Sequence, residues 1–151
     1  MRDVIASLMK EPLDIRYKEE KQILKGHGIR ASHQRLLILD YLVVNRSHPT
    51  ADDIYQAVKL KDPILSQATV YNTLNLFVEK NIISELDFNE TRKRFDFFSQ
   101  VHAHFVCDNC KEIIDLDLDE SKLNFEELKD YDINLIDLTI RGICPSCKEN
   151  K

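Results

Sequence analysis

Four cysteines, Cys107, Cys110, Cys144 and Cys147, are all the thiols the chain has. They stand as two Cys-x-x-Cys pairs with 33 residues between them. Two knuckles of this kind can close a tetrahedral shell of four thiolates around one zinc ion, a structural site that leaves no open position for chemistry. The spacer is longer than in compact zinc ribbons, but the pairs bracket a strand–helix–strand unit. Tying the end of such a unit to its start lets a small core hold together. Two rival uses stand beside this one. Buried free thiols need no paired spacing, and a redox dithiol wants one pair at a helix start in a βαβ unit, a placement the pattern gives to neither pair.

A second group of metal-ligand types lies beside the first pair. His102 and His104 alternate along an expected strand, so both side chains leave the same face. Cys107 has the opposite parity and leaves the other face. Parity therefore argues for two sites in residues 95–117, one of sulfur and one of nitrogen and oxygen. Asp115 lies on the next expected strand, and Asp96 sits in Arg94-Phe95-Asp96-Phe97-Phe98, where a carboxylate among aromatics wants a partner or an ion. A mixed set of this kind suits Fe(II), Mn(II) or Zn(II). The bland alternative stays open here: two exposed strand histidines, with Asp115 and Asp117 merely solvated.

The elements that must position these residues read as follows. Residues 17–25 form a helix broken by Gly26 and Gly28. Ser32 caps a helix over the apolar run from His33 to Val44, and Thr50, after Pro49, caps another through Val58, with Asp52 and Asp53 in its first turn. Ser66 caps a helix over 67–79, on which Val70, Leu74, Phe77 and Val78 fall at helical spacing. Strands at 82–88 and 93–98, joined by 89–92, complete the order of a winged helix-turn-helix. Beyond residue 99 come a strand at 103–107, a Cys-x-x-Cys turn, a strand at 113–118, a helix at about 121–131, a strand at 133–141 and the second Cys-x-x-Cys turn. The expected fold class is α+β: a winged-helix DNA-binding domain over 1–98, with an N-terminal extension 1–16, and a smaller α/β metal-binding domain over 99–151. Residues 99–101 read as a short hinge-like link.

Composition bounds the rest. With 151 residues, 43% of them hydrophobic, the chain can bury a core, and it has no apolar run of membrane-spanning length. Its charged N-terminus lacks the features of a secretory signal, so the expected location is cytoplasmic. The net charge of −5 misleads, because residues 1–98 hold 15 Lys/Arg against 14 Asp/Glu while residues 99–151 hold 6 against 12. A near-neutral first half can still carry a local basic face for nucleic acid, whereas the acidic second half suits cations. On the 67–79 helix, Gln67, Ala68, Thr69, Tyr71, Asn72 and Asn75 are offered to a DNA groove; Asn72 suits adenine, and Tyr71 a phosphate or a thymine methyl. Arg30, His33 and Arg35 are candidate phosphate partners. The alternatives are a packed Tyr71 and polar residues that are only solvated.

These motifs together resemble the ferric uptake regulator family of bacterial metal-dependent repressors, over roughly residues 17–148. The likeness is carried by "HPTADDIY", "SQATVYNTLNLF", "RFDFF", "HAHFVCDNC" and "GICPSC", and it is strongest to the peroxide-stress repressors. It implies a recognition helix at about 67–79, a C-terminal dimerisation domain, and structural zinc (Zn2+) on Cys107, Cys110, Cys144 and Cys147. It further implies a regulatory Fe2+ or Mn2+ site on His48, Asp96, His102, His104 and Asp115, so that metal clamps the two domains. Aspartate at 96 and 115, where iron-sensing members usually carry glutamate, points to the branch in which hydrogen peroxide and Fe(II) oxidise a ligand histidine, His48 or His102. The implied protein is a homodimeric repressor on a palindromic double-stranded operator, not an enzyme and not bound to a membrane. An iron- or zinc-level sensor of the same fold is the alternative. A small metalloenzyme is a rival of another class, disfavoured because no nucleophile or general base stands outside the ligands. The sequence departs from the family pattern at Ser32-His33, often Thr-Pro, at Lys111, usually glycine, and in its long N-terminal extension.

Overall fold

The computed structural model describes residues 13–87, 92–97, 102–118, 125–133 and 136–149. The chain divides into two compact units, Met1–Ser99 and Gln100–Lys151. The first twelve residues, the link at 99–101 and all of the 89–92 turn except Arg92 lie outside the described residues.

In the first unit four helices precede a two-stranded ribbon: α1 Leu13–Gly26, α2 His33–Val44, α3 Ala51–Lys59, α4 Gln67–Glu79, β1 Ile83–Leu86 and β2 Arg94–Phe97. α1 begins four residues before the expected start. The helix starts are set by side-chain caps. Ser32 Oγ accepts from the Arg35 N–H at 3.3 Å, and Ser66 Oγ from the Thr69 N–H at 3.1 Å. Thr50 and Asp53 form a reciprocal capping box: the Asp53 N–H reaches Thr50 Oγ1 at 3.2 Å while the Thr50 N–H reaches Asp53 Oδ2 at 2.9 Å. The Thr50 hydroxyl and amide together hold the Asp53 carboxyl below its usual range.

α2 is apolar nearly all round and is the centre of this unit. Leu36, Leu37, Ile38, Leu39, Leu42 and Val43 are all buried, and α1, α3, α4 and β2 pack on it. Each such side chain stabilises the unit by about 2 kcal/mol. β1 and β2 pair antiparallel, with Ser84 opposite Asp96 and Leu86 opposite Arg94. The helix-turn-helix with its wing is thus formed by α3, α4 and the ribbon.

The second unit is a three-stranded sheet of β3 His102–Cys107, β4 Ile113–Asp117 and β5 Leu138–Gly142, ordered β4-β3-β5. β3 pairs antiparallel with β4 and parallel with β5. Between β4 and β5 the expected helix over 121–131 is not formed in its described part. Only a 3₁₀ turn, Glu126–Leu128, is present, and residues 121–124 lie outside the described residues. Phe125, Leu128 and Tyr131 are exposed, so the described residues bury no apolar stripe here, and a short helix without that support is marginal. The strand expected from 133 is described from Leu138; residues 133, 136 and 137 are not in it, and residues 134–135 lie outside the described residues. The second Cys-x-x-Cys, expected as a turn, runs into a short helix, α5 Pro145–Glu149, with proline at its first position.

Candidate metal centres and nucleic-acid interface

Cys107 ends β3, Cys110 closes the turn after it, Cys144 follows β5 and Cys147 lies on α5. One Sγ from each falls within 4.8 Å of the others. Cys110 Sγ and Cys144 Sγ are 3.8 Å apart, close to the edge of about 3.8 Å of a tetrahedron built on zinc–sulfur bonds of about 2.3 Å. No disulfide joins the four. Backbone hydrogen bonds hold the knuckles together: the Asp108 N–H donates to Gly142 O at 2.7 Å, and the Cys144 N–H donates to Cys107 Sγ at 3.3 Å. The Cys144 N–H and then the Cys110 N–H lower the Cys107 thiol to about 6, so it is a ready thiolate. At Cys144 the Cys147 N–H favours ionisation, but burial and the other three thiols outweigh it and push the thiol up to about 12. Four thiols in this space ionise together only around a cation, and the set fits zinc. One ground against a redox dithiol changes, since Cys144-x-x-Cys147 does stand at a helix start; all four sulfurs still converge, and the sheet around them is no βαβ thioredoxin unit.

Lys111 stands at φ +62°, in the left-handed region where glycine is at ease. That explains the glycine usual at this place in the family pattern. Its Nζ donates to Asp108 O at 2.8 Å. Lys111→Gly is expected to raise the stability of the zinc-loaded protein by roughly 0.5–1 kcal/mol, the left-handed cost less glycine's entropy. A melting temperature that falls instead would show that the lysine's bond to Asp108 outweighs the strain.

The two faces of β3 separate as parity requires. His104 lies opposite Asp115 and His102 opposite the exposed Asp117. His102 Nε2 and His104 Nε2 are 3.0 Å apart, and Asp115 Oδ1 lies 3.8 Å and 3.6 Å from them. A metal with bonds of about 2.1 Å spaces its ligands roughly 3.0–3.4 Å apart, so this triangle fits a divalent ion after small adjustment. On the other face Ala103, Phe105, Leu116, Ile114, Leu138 and Ile140 form an apolar layer, with Ile140 52% exposed.

The first unit places two more of the named residues together. His48 and Asp96 are both buried, with His48 Nε2 4.0 Å from Asp96 Oδ1. His48 is held at φ +50°, a state that costs a non-glycine residue about 1–2 kcal/mol. Pro49 follows it and favours extended backbone at the residue before. Arg94 Nη1 donates to His48 O at 3.2 Å, and the Phe95 N–H donates to Pro49 O at 3.0 Å. Sequence reasoning missed Arg94; its signal was the spacing of two from Asp96 on an extended strand.

The DNA candidates fall on two clefts. Arg30, Arg35, Thr69 and Asn72 line one of about 630 Å³ between the start of α2 and α4. Exposed Tyr71 lines a second, of about 350 Å³, with Asn75; the wing residues Arg92 and Lys93 also line it, and the sequence reading did not offer them to DNA. Gln67 is exposed at the start of α4. Two candidates already have intramolecular partners: the Thr69 hydroxyl shares a 2.8 Å hydrogen bond with Ser66 Oγ, and Arg35 Nη1 donates to Arg30 O at 2.7 Å. His33 is exposed. Among the described residues no helix is long and apolar enough to cross a membrane.

Known proteins share this architecture and sequence. The chain is 41% identical over 138 residues to the peroxide operon regulator of Bacillus subtilis, which covers 88% of this chain and 95% of that protein. It is 38% identical over 142 residues to the peroxide-responsive repressor PerR of Staphylococcus epidermidis, covering 92% and 95%. The structure of the Helicobacter pylori ferric uptake regulator, described as having three functional metal-binding sites, superimposes with a TM-score of 0.70 at 26% identity, over 91% of this chain and 95% of that one. The model of the ferric uptake regulator family matches residues 26–141, and the chain belongs to that family.

Proposed function

We propose that this protein is a metal-dependent transcriptional repressor that releases its DNA in response to hydrogen peroxide. The observation that carries the reading is the extent of the likeness to two peroxide-responsive regulators at 41% and 38% identity, each over most of both chains. The arrangement of side chains supports it. Cys107, Cys110, Cys144 and Cys147 would hold a structural zinc, and His48, Asp96, His102, His104 and Asp115 would together hold Fe(II) or Mn(II). The first unit contributes a buried imidazole–carboxylate pair and the second a His-His-Asp triangle. Metal held by both would fix the winged helix for DNA.

Fe(II), when bound, would promote cleavage of the peroxide O–O bond, one oxygen leaving as water and the other adding to an imidazole, which is the two-electron reductant overall. The chain supplies the oxidisable imidazoles, His48 or His102. Loss of either ligand would release the clamp. α4 would enter the major groove, led by Asn72 and Tyr71 with Gln67 and Thr69 beside them, while Arg30 and Arg35 meet phosphates. The open apolar face of the β4-β3-β5 sheet fits a second copy of the chain, and a two-fold dimer would read a palindromic operator. Such a repressor works beside its DNA, in the cytoplasm.

The test is operator binding by zinc-loaded protein carrying Fe(II) or Mn(II). Peroxide is expected to abolish binding by the iron form within one turnover, with an oxygen added to His48 or His102 by peptide mass spectrometry, and to leave the manganese form bound. An iron form that keeps its operator after peroxide would sink the sensor reading and leave a metal-level sensor.

A further inference from the structure

The wing strand touches both ends of His48. Along extended β2, Arg94 and Asp96 leave the same side, two residues apart. Arg94 Nη1 donates to the His48 carbonyl at 3.2 Å, across 46 residues of sequence, while Asp96 Oδ1 lies 4.0 Å from the imidazole Nε2 of the same residue. His48 sits in the left-handed region before a proline that favours extended backbone, so something must hold it there. Downstream, the Phe95 N–H on Pro49 O, the bridge between Thr50 and Arg94, and the Thr50 cap of α3 fix residues 49 and 50. On residue 48 itself, the Arg94 guanidinium binds the carbonyl.

We propose that Arg94 is a positioning residue for the regulatory metal: by gripping the His48 carbonyl from the wing strand, it fixes the backbone that aims the His48 imidazole at the Asp96 carboxylate. The inference rests on His48 and Asp96 being regulatory ligands. Without the guanidinium, residue 48 relaxes toward the extended conformation that Pro49 favours, and the imidazole turns away from Asp96. The metal would then have to rebuild that geometry on binding, so affinity falls although every ligand remains. The grip also runs the other way. A metal that locks the His48 imidazole locks the peptide that Arg94 holds, and so the position of the wing strand.

The experiment measures Mn(II) affinity of the zinc-loaded full chain by competition with a fluorescent chelator, for Arg94→Ala, Arg94→Lys and His48→Ala. Zinc content and the melting temperature of the manganese-free protein are recorded alongside. Arg94→Ala is expected to weaken Mn(II) by about tenfold, the lower end for groups that orient a ligand, with zinc and melting temperature unchanged. Arg94→Lys is expected to recover most of the affinity, since an ammonium can also donate to the carbonyl. Wild-type affinity in Arg94→Ala overturns the inference, as does a joint loss of affinity and melting temperature that lysine does not rescue. If His48→Ala binds Mn(II) as tightly as the unaltered chain, the reading of the regulatory site fails and takes the inference with it. If His48→Ala loses Mn(II) and Arg94→Ala does not, only the role of Arg94 falls.

Discussion

Cys144→Ser is expected to strip the zinc and unfold the second unit, leaving α1–α4 folded. The unit is one three-stranded sheet with an apolar face open, and between β4 and β5 the described residues show only a 3₁₀ turn. Among the described residues, the β3–β5 ladder and the knuckles are what return the chain to β3. Cys144 is buried, and its own N–H donates to Cys107 Sγ, so the residue serves both as ligand and as the joint between knuckles. Structural zinc contributes on the order of 10 kcal/mol of folding free energy in small domains, more than a unit of this size keeps in reserve. Zinc content by mass spectrometry and amide exchange across β3 and β5 would read the result. A variant with one zinc per chain and a protected ladder would show that three thiols suffice.

A smaller but still large effect is expected at Glu20, far in sequence from any metal ligand. Glu20 is fully buried on α1, and among the described residues none donates a hydrogen bond to either of its oxygens. Beside it Asp40 accepts from Arg16 Nε at 2.7 Å, with Lys61 Nζ at 3.5 Å. Burial first, then the Asp40 carboxylate, push the Glu20 carboxyl up to about 8, so the folded protein keeps it protonated and donating toward Asp40. The unfolded chain gives that proton up near the ordinary value of 4.5. The folded state therefore binds the extra proton, and the stability it contributes is full below that ordinary value and drains away as pH rises to about 8. Glu20→Gln keeps a donor for Asp40 and removes the titration. It is expected to stabilise the first unit by about 2–3 kcal/mol at neutral pH, and to flatten the fall of roughly 2–3 kcal/mol between about pH 6 and 8. Urea unfolding of zinc-loaded protein at several pH values in that range, followed by helical circular dichroism, checks both. Parallel curves for the two proteins would mean that Glu20 does not titrate in this window.

The parts of the fold that follow local chemistry were legible in the sequence. Ser32, Thr50 and Ser66 each cap the helix expected of them, because a hydroxyl before an apolar run has few other uses. The regions that failed depend on tertiary support. The stretch with Phe125, Leu128 and Tyr131 has a helical rhythm but buries nothing, and Leu138 begins a strand only where β3 offers an edge. The β3 alternation placed His102 opposite Asp117 and His104 opposite Asp115 and turned Cys107 away, since a strand has only two faces. His48 could not be reached by spacing: a loop histidine in a left-handed conformation joins Asp96 through packing alone, and only the family pattern pointed to it. Arg94, Glu20 and Asp40 went unnoticed for the same reason, as their contacts span distant segments.

The alternation along β3 has a consequence for how such a regulator can change over generations. Even-numbered residues of the strand carry the imidazoles, and odd-numbered ones carry the apolar face and the first thiolate. A point substitution on one side leaves the other untouched, so the proposed metal site and the proposed self-association face could drift independently on six shared residues. The same economy forbids insertions and deletions, because a slip of one residue exchanges the faces and costs both traits at once. Diversity in this strand should therefore arise by replacement at constant length.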